Sequence, residues 1–293
     1  MSFLRGFTAV LTFAALAYPA VAVAQSQRRN VYASVLQRDG APVTTLGVTD
    51  FVVREDGVRR EVLAAERATD PLRIAVLVDT SQAAEPYISD IRLALQAFFK
   101  STAGKHEIAL IGFGERPTVL VDYTRDPARL NDGVGRVFAQ SGSGAYLLDA
   151  IVETSRGLRT REGGRSAIVT ITTEGREFSH EDHTAVLAAL EESNATLHTL
   201  VLTRNRARFA SHSAREREFA IGQGAELTGG RREDLLTSMG LTNRMEALAA
   251  ELNNQYRIVY ARPETLISPE RVQVSVDKPG LTVRASRVPR IGE

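Results

Sequence analysis

Four apolar runs separated by helical stretches constrain this chain most. They are "LRIAVLVD" at 72–79, "HEIALIGFG" at 106–114, "SAIVTITT" at 166–173 and "ATLHTLVLT" at 195–203. A strand apolar on both faces must be covered on both, and strands that alternate with helices are joined by crossovers, so the pattern predicts an α/β fold with a doubly wound, mostly parallel sheet. Between the first two runs, Ile88, Ile91, Leu95 and Phe98 are spaced three, four and three residues apart, which gives one apolar helix face. "YLLDAIVETSRGL" and "TAVLAALEES" supply further helices, the latter with Ser179 and Asp182 in the spacing of a capping box.

The ends of the chain follow a different period. Residues 30–67 alternate like antiparallel β, with Asp39-Gly40 and Asp56-Gly57 as turns, because both positions of such a turn tolerate positive φ. "YRIVYA", "RVQVSV" and "LTVRAS" return to alternation after residue 255, with Pro279-Gly280 as a turn. Too few strands stand at either end to form a stable sheet alone, so the two sets are expected to join in one small β domain beside the α/β core. The expected layout is an export segment at 1–24, a β segment at 25–71, an α/β domain at 72–254 and a second β segment at 255–293.

Residues 1–24 read as a secretory signal peptide: Arg5, an apolar stretch, Pro19, then Ala22-Val23-Ala24 before Gln25. Cleavage there would leave a soluble mature chain, secreted or periplasmic and not inserted in a membrane. Of the 293 residues, 43% are hydrophobic and 24% charged, enough for a globular core. The formal charge is +1, and losing Arg5 makes the mature chain neutral, which removes any electrostatic case for nucleic acid. The absence of cysteine excludes disulfides, thiolate zinc sites, cysteine nucleophiles and lipid on an N-terminal cysteine. In "RNRARFASHSAREREFA", at 204–220, arginines interleave with acids, the pattern of a solvated helix face.

The run ending in "VDTSQAA", the helix after it, "SGSGAYLLDA" before another helix and the strand "AIVTITTEG" come in the order of a von Willebrand factor A domain, which the chain resembles. The flanking "VYASVLQRDGAPVTTLGVTDFVVREDGVRREV", "LAAELNNQYRIVYARPE" and "RVQVSVDKPGLTVRASR" look like the exported bacterial subfamily called acidobacterial-type. The resemblance implies a metal-ion-dependent adhesion site at the carboxyl ends of the strands: Asp-x-Ser-x-Ser, a Thr from a second loop and an Asp from a third, a hard-oxygen set for magnesium, calcium or manganese. Asp79 and Ser81 match that pattern. Ala83 replaces the second Ser, Ala145 stands where the family has Thr, and Glu174 is one methylene longer than the family's Asp. The site is therefore expected to be degenerate, with no cofactor. Asp79 and Ser81 would cap the following turn, Glu174 would face Asp79 across a crevice, and weak magnesium or calcium binding through these three is the alternative.

Other chemistry is poorly supported. His180 and His183 in "SHEDHT" are three apart, but no His-Glu-x-x-His motif or third zinc ligand accompanies them. Ser143 lies between glycines, yet position 141 is Ser where a nucleophile elbow needs Gly, so "QSGSGAY" reads as a flexible loop shaping the crevice. "GQGAELTGG" lacks the Gly-Lys-Ser/Thr ending of a phosphate cradle. The sequence thus predicts an exported, non-enzymatic protein-binding module whose unidentified partner docks at Asp79, Ser81, Ala83, Ser143, Ala145 and Glu174. A metal-dependent cell-adhesion protein and an exported hydrolase are the alternatives.

Overall fold

The structure, a computed structural model, describes residues 26–161, 164–203, 211–264, 267 and 269–286. The expected signal peptide and the start of the arginine-rich stretch, 204–210, lie outside the described residues. Chain order is β1 (Ser26–Leu36), β2 (Phe51–Glu55), β3 (Val58–Arg60), β4 (Val62–Arg67), β5 (Leu72–Val78), α1 (Ile88–Thr102), β6 (Glu107–Gly112), β7 (Thr118–Thr124), α2 (Pro127–Gly135), α3 (Leu147–Arg159), β8 (Arg165–Thr173), α4 (His183–Ser193), β9 (Thr196–Leu202), α5 (His212–Thr228), β10 (Arg231–Leu235), α6 (Leu241–Asn253), β11 (Tyr256–Pro263), β12 (Val272–Val276) and β13 (Thr282–Ala285).

The four apolar runs become β5, β6, β8 and β9 in a six-stranded sheet of order β10-β9-β8-β5-β6-β7. It is parallel except at β7, which returns antiparallel to β6 as an edge. Side chains alternate across β5: Ile74, Val76 and Val78 join α1, α2 and α6 in one core, while Leu77 joins α3, α4 and α5 in the other. On α1, Ile91, Leu95 and Phe98 are fully buried, as their spacing predicts, and burying each such chain contributes roughly 1.5–3 kcal/mol.

The β segments at the two ends do join. β1 lies between β13 and β11, and β11 pairs with β4; a second sheet runs β12-β2-β3. Asp56 (φ 48) and Gly57 (φ 83) form the tight turn between β2 and β3. The Asp56 carboxylate also accepts from the Arg271 amide at 2.8 Å, tying this turn to the start of β12. Between the sheets, the Phe51 and Tyr256 rings lie 5.0 Å apart, and the Tyr256 hydroxyl accepts from the Leu46 amide at 2.9 Å. Buried Glu55 accepts from Arg60 (2.9 Å), Arg262 (3.2 Å) and the Tyr260 hydroxyl (2.9 Å), so its charge is paired where water is absent.

The β unit is keyed onto the α/β unit at close quarters. A Cβ on Gly229, the α5 cap at φ 74, would stand 2.2 Å from the Ala285 carbonyl carbon, so only glycine fits. Beside it, Arg284 of β13 reaches Glu251 of α6 at 2.9 Å. Among the described residues no helix is long and apolar enough to cross a membrane.

Candidate functional site

The loops that follow β5, α2 and β8 meet above the carboxyl ends of the parallel strands, where open α/β sheets present ligands. Asp79 directly follows β5 and is wholly buried. One carboxylate oxygen, Oδ1, accepts from the Ser81 amide at 2.8 Å. The other, Oδ2, accepts from the Thr173 amide at 2.9 Å and the Thr173 hydroxyl at 2.7 Å. Part of the expected local capping is therefore present, but half of the carboxylate is spent across the sheet on β8. Ser81 departs from expectation: it occupies the N-cap of the 3-10 turn Gln82–Tyr87 without a side-chain cap bond, and its buried Oγ has no partner.

The second loop is held rather than loose. The Gln140 amide donates to the Thr80 carbonyl at 2.9 Å, and the Gly142 amide to Gln82 Oε1 at 3.1 Å. The Ser143 hydroxyl donates to the Gln140 carbonyl at 2.7 Å, so its hydrogen bond goes to backbone and not to a histidine. Ala145, fully buried, bridges in parallel to Glu177: its amide reaches the Arg176 carbonyl and its carbonyl accepts from the Phe178 amide, each at 2.7 Å. The Phe178 ring lies where a Cβ on Gly144 would be, 2.3 Å from its Cδ2, and stacks edge-on against Tyr146 with centroids 6.2 Å apart. Glu174 is exposed while Asp79 is buried.

Two buried charges that sequence reasoning passed over organise the third loop. Arg217, assigned by pattern to a solvated face, is 3% exposed and donates to the carbonyls of Thr173 (3.3 Å) and Gly175 (2.9 Å). An interleaved charge pattern hides it, because nothing local distinguishes the one arginine that α5 turns inward. Glu177 accepts through Oε1 from the Leu147 amide (3.1 Å) and from the Ser179 amide (3.3 Å) and hydroxyl (2.6 Å), while its Oε2 is buried without a partner. Burial pushes its carboxyl up to about 7, against the opposing pull of the Ser179 hydrogen bond and the Arg217 charge.

Glu177 and Ser179 thereby cap α3 from outside, since Tyr146 at its N-cap makes no side-chain bond. Asp149 reciprocates by accepting from the His180 and Glu181 amides, each at 2.9 Å. Ser179 is therefore not half of a capping box; Asp182 alone caps α4 through the Ala185 amide. His180 turns to Asp149 and His183 to Glu216, so the structure does not assemble the two as metal ligands.

The family positions of this chain offer few oxygens to a divalent ion. Such ions take six or more oxygens, yet two of the family positions carry methyl groups at Ala83 and Ala145, and both Asp79 oxygens already accept protein donors. Among the described residues no group of three or more His, Asp or Glu side chains could hold a metal.

Residues 74–176 match the family described as von Willebrand factor type A domain. Among solved structures, a von Willebrand factor type A protein from Catenulispora acidiphila is similar at a TM-score of 0.51 and 12% identity, over 90% of this chain and 74% of that one. The pilus adhesin SpaC from Lactobacillus rhamnosus GG, in its open conformation, reaches 0.49 at 11% identity, over 82% of this chain and 48% of that one. BatB, a conserved hypothetical protein from Bacteroides thetaiotaomicron, reaches 0.48 at 14%, over 62% of this chain and all of that one. Identities this low speak to the fold alone, and the fold likeness rests on the first of the three. No curated protein matches the chain.

Proposed function

We propose that this von Willebrand factor type A domain is an exported, non-enzymatic docking module that recognises a protein partner at its strand-end surface without a divalent ion. One observation carries the reading: the loops that would surround an ion are hydrogen-bonded to one another, through the Ala145–Glu177 bridge and the Asp79–Thr173 pair. A surface already closed in this way is preorganised, and preorganisation lowers the ordering cost of association. Phe178, 45% exposed beside Tyr146, offers an aromatic anchor of the kind that dominates protein interfaces. Export rests on the sequence of residues 1–24, and sequencing the mature N-terminus tests it.

The docking reading is tested with a photo-crosslinking residue at Phe178 in the full chain in its native envelope, and a second at Val119 on the edge strand as control. A discrete protein adduct at Phe178 that persists in EDTA is expected. An adduct lost in EDTA overturns the ion-free part, and adducts at Val119 alone overturn the choice of surface.

The metal-dependent alternative has one observation of its own, the partnerless Ser81 Oγ beside Asp79. It requires saturable, Asp79-dependent thermal stabilisation by magnesium or manganese, since a ligand that binds only the folded state raises its stability.

A further inference from the structure

At the opposite end of the parallel sheet, below the amino ends of β6 and β8, lies a cavity of about 650 Å³ whose lining carries four cations, Arg67, Lys100, Lys105 and Arg165, against one acid, Glu246. Several arginines elsewhere on this protein have carboxylate partners: Arg73 with Glu107, Arg232 with Asp234, Arg257 with Glu66. Three of the cavity cations bond instead to neutral groups. Arg67 donates to Asn254 Oδ1 at 2.7 Å, and the Lys105 ammonium to the Ser101 carbonyl at 3.3 Å. Arg165, 2% exposed, gives Nη1 to Gln255 Oε1 at 2.9 Å and Nη2 to the Asp70 carbonyl, and its Nε has no partner. Its guanidinium stands 5.2 Å from the Tyr32 ring, and burial lowers its hold on its proton.

Helix ends explain part of this. Lys100, in the last turn, and Lys105, which donates to the Ser101 carbonyl, complement the carboxyl end of α1. That account leaves out Arg67 and Arg165, which belong to strands. His106, at the cavity wall, adds no charge: its Nδ1 accepts from the Leu72 amide at 3.2 Å, so Nε2 carries the proton donated to Asn253 Oδ1, and desolvation keeps the ring neutral. The result is a concave, polar site of net positive charge, within the size range of small-molecule sites.

We propose that this cavity binds a phosphate monoester, with the phosphate between Arg67, Lys100 and Lys105 at the mouth and the buried Arg165 supplying field from behind. Separate ammonium and guanidinium groups approaching from several sides suit a tetrahedral dianion better than a planar carboxylate, which a single guanidinium fork would serve. The volume leaves room for the organic part of the ester. The site is remote from the strand-end surface and independent of the docking reading.

The test is calorimetric titration of the full mature chain with glycerol 3-phosphate, and in parallel with vesicles containing phosphatidic acid, which carries the same monoester on a lipid. One-to-one saturable binding is expected. It should weaken at least about tenfold in the Lys100→Gln, Lys105→Gln double variant, read at a temperature where the variant and the parent are both folded, since the exposed substitutions also remove two charges from the carboxyl end of α1. Binding to the soluble ester assigns a diffusible ligand; binding to vesicles alone assigns a headgroup, with the same chemistry. Absence of saturable binding in both arms overturns the proposal, and so does equal binding by parent and double variant.

Discussion

Gly175 stands so close to Ala83 that a Cβ built on it would lie 2.6 Å from the Ala83 methyl, nearer than carbon atoms approach. The first and third loops of the strand-end site are therefore in mutual steric contact at the point where the family places an ion ligand. Gly175→Ala should cost about 1–3 kcal/mol by overpacking, and Ala83→Gly should recover a large part of that cost. Urea unfolding of the four proteins of this double-mutant cycle checks it; additive effects would show that the loops give way independently.

The same contact alters what rebuilding the family's ligands would do. Ala83→Ser, Ala145→Thr and Glu174→Asp together insert atoms beside Gly175 and into the fully buried Ala145 position. Without metal, the triple variant should be less stable than the parent by about 1–3 kcal/mol. Magnesium or manganese should then raise its melting temperature and leave that of the parent unchanged. A triple variant that folds as well as the parent, or that ignores both ions, contradicts this expectation.

Asp79 is expected to act as a structural acceptor. Asp79→Asn replaces one accepting oxygen with a donor that faces the Ser81 amide or the Thr173 donors, so it should cost about 1–3 kcal/mol whether or not divalent ions are present. Thermal melts in EDTA and in magnesium should show the same loss; a loss confined to magnesium would return Asp79 to metal binding.

Glu177 makes stability depend on pH in a stated direction. Its folded carboxyl titrates at about 7, above the ordinary 4.5, so the folded state holds this proton more tightly than the unfolded state does. The contribution is fully present below pH 4.5 and is lost as pH rises through about 7, an effect on the order of 3 kcal/mol. Glu177→Gln removes that dependence, so the variant should gain on the parent between pH 5 and pH 8. A stability difference that is flat across this window would mean that Glu177 titrates normally.

The strands at the two ends of the chain should stand or fall together. β2 pairs with β12 in the register Val53↔Val274 and Phe51↔Val276, and the Asp277 amide reaches the Asp50 carbonyl at 3.1 Å. Deleting residues 272–293 strips that edge, so amide exchange across Phe51–Glu55 should accelerate towards the rate of an isolated hairpin. Unchanged protection there would refute the dependence.

What could be read from the sequence was whatever repeats over several residues. The runs around Val76 and Val169 reveal a two-sided sheet because apolar residues stand on both faces, and Asp56-Gly57 reveals its turn because two adjacent residues must take positive φ. β10, "RREDL", escaped notice because it is an edge strand whose charges pair along its own length, Arg231 with Glu233 and Arg232 with Asp234. β7 escaped for a related reason: Val119 is exposed on an edge whose pairing with β6 shifts register twice. At the site, the missing hydroxyls at Ala83 and Ala145 were plain from residue type. The roles of Glu177 and Arg217 were not, since both depend on partners 30 or more residues away, Leu147 and Gly175, that no local pattern connects.

The arrangement of β1 between β11 and β13 also determines how the molecule responds to tension. β13 runs antiparallel to β1 from Thr282 opposite Leu36 to Ala285 opposite Ala33, so at Ala285 the strand points towards the end of the sheet where Ser26 lies. A pull applied through the two ends loads this strand pair as a zipper, breaking its bonds one after another, rather than as a lap joint in which all must yield together. β13 should peel first. The six-stranded sheet, entered from β4 and left through β11, lies outside that line of force and would keep its strand-end surface intact while the tether lengthens.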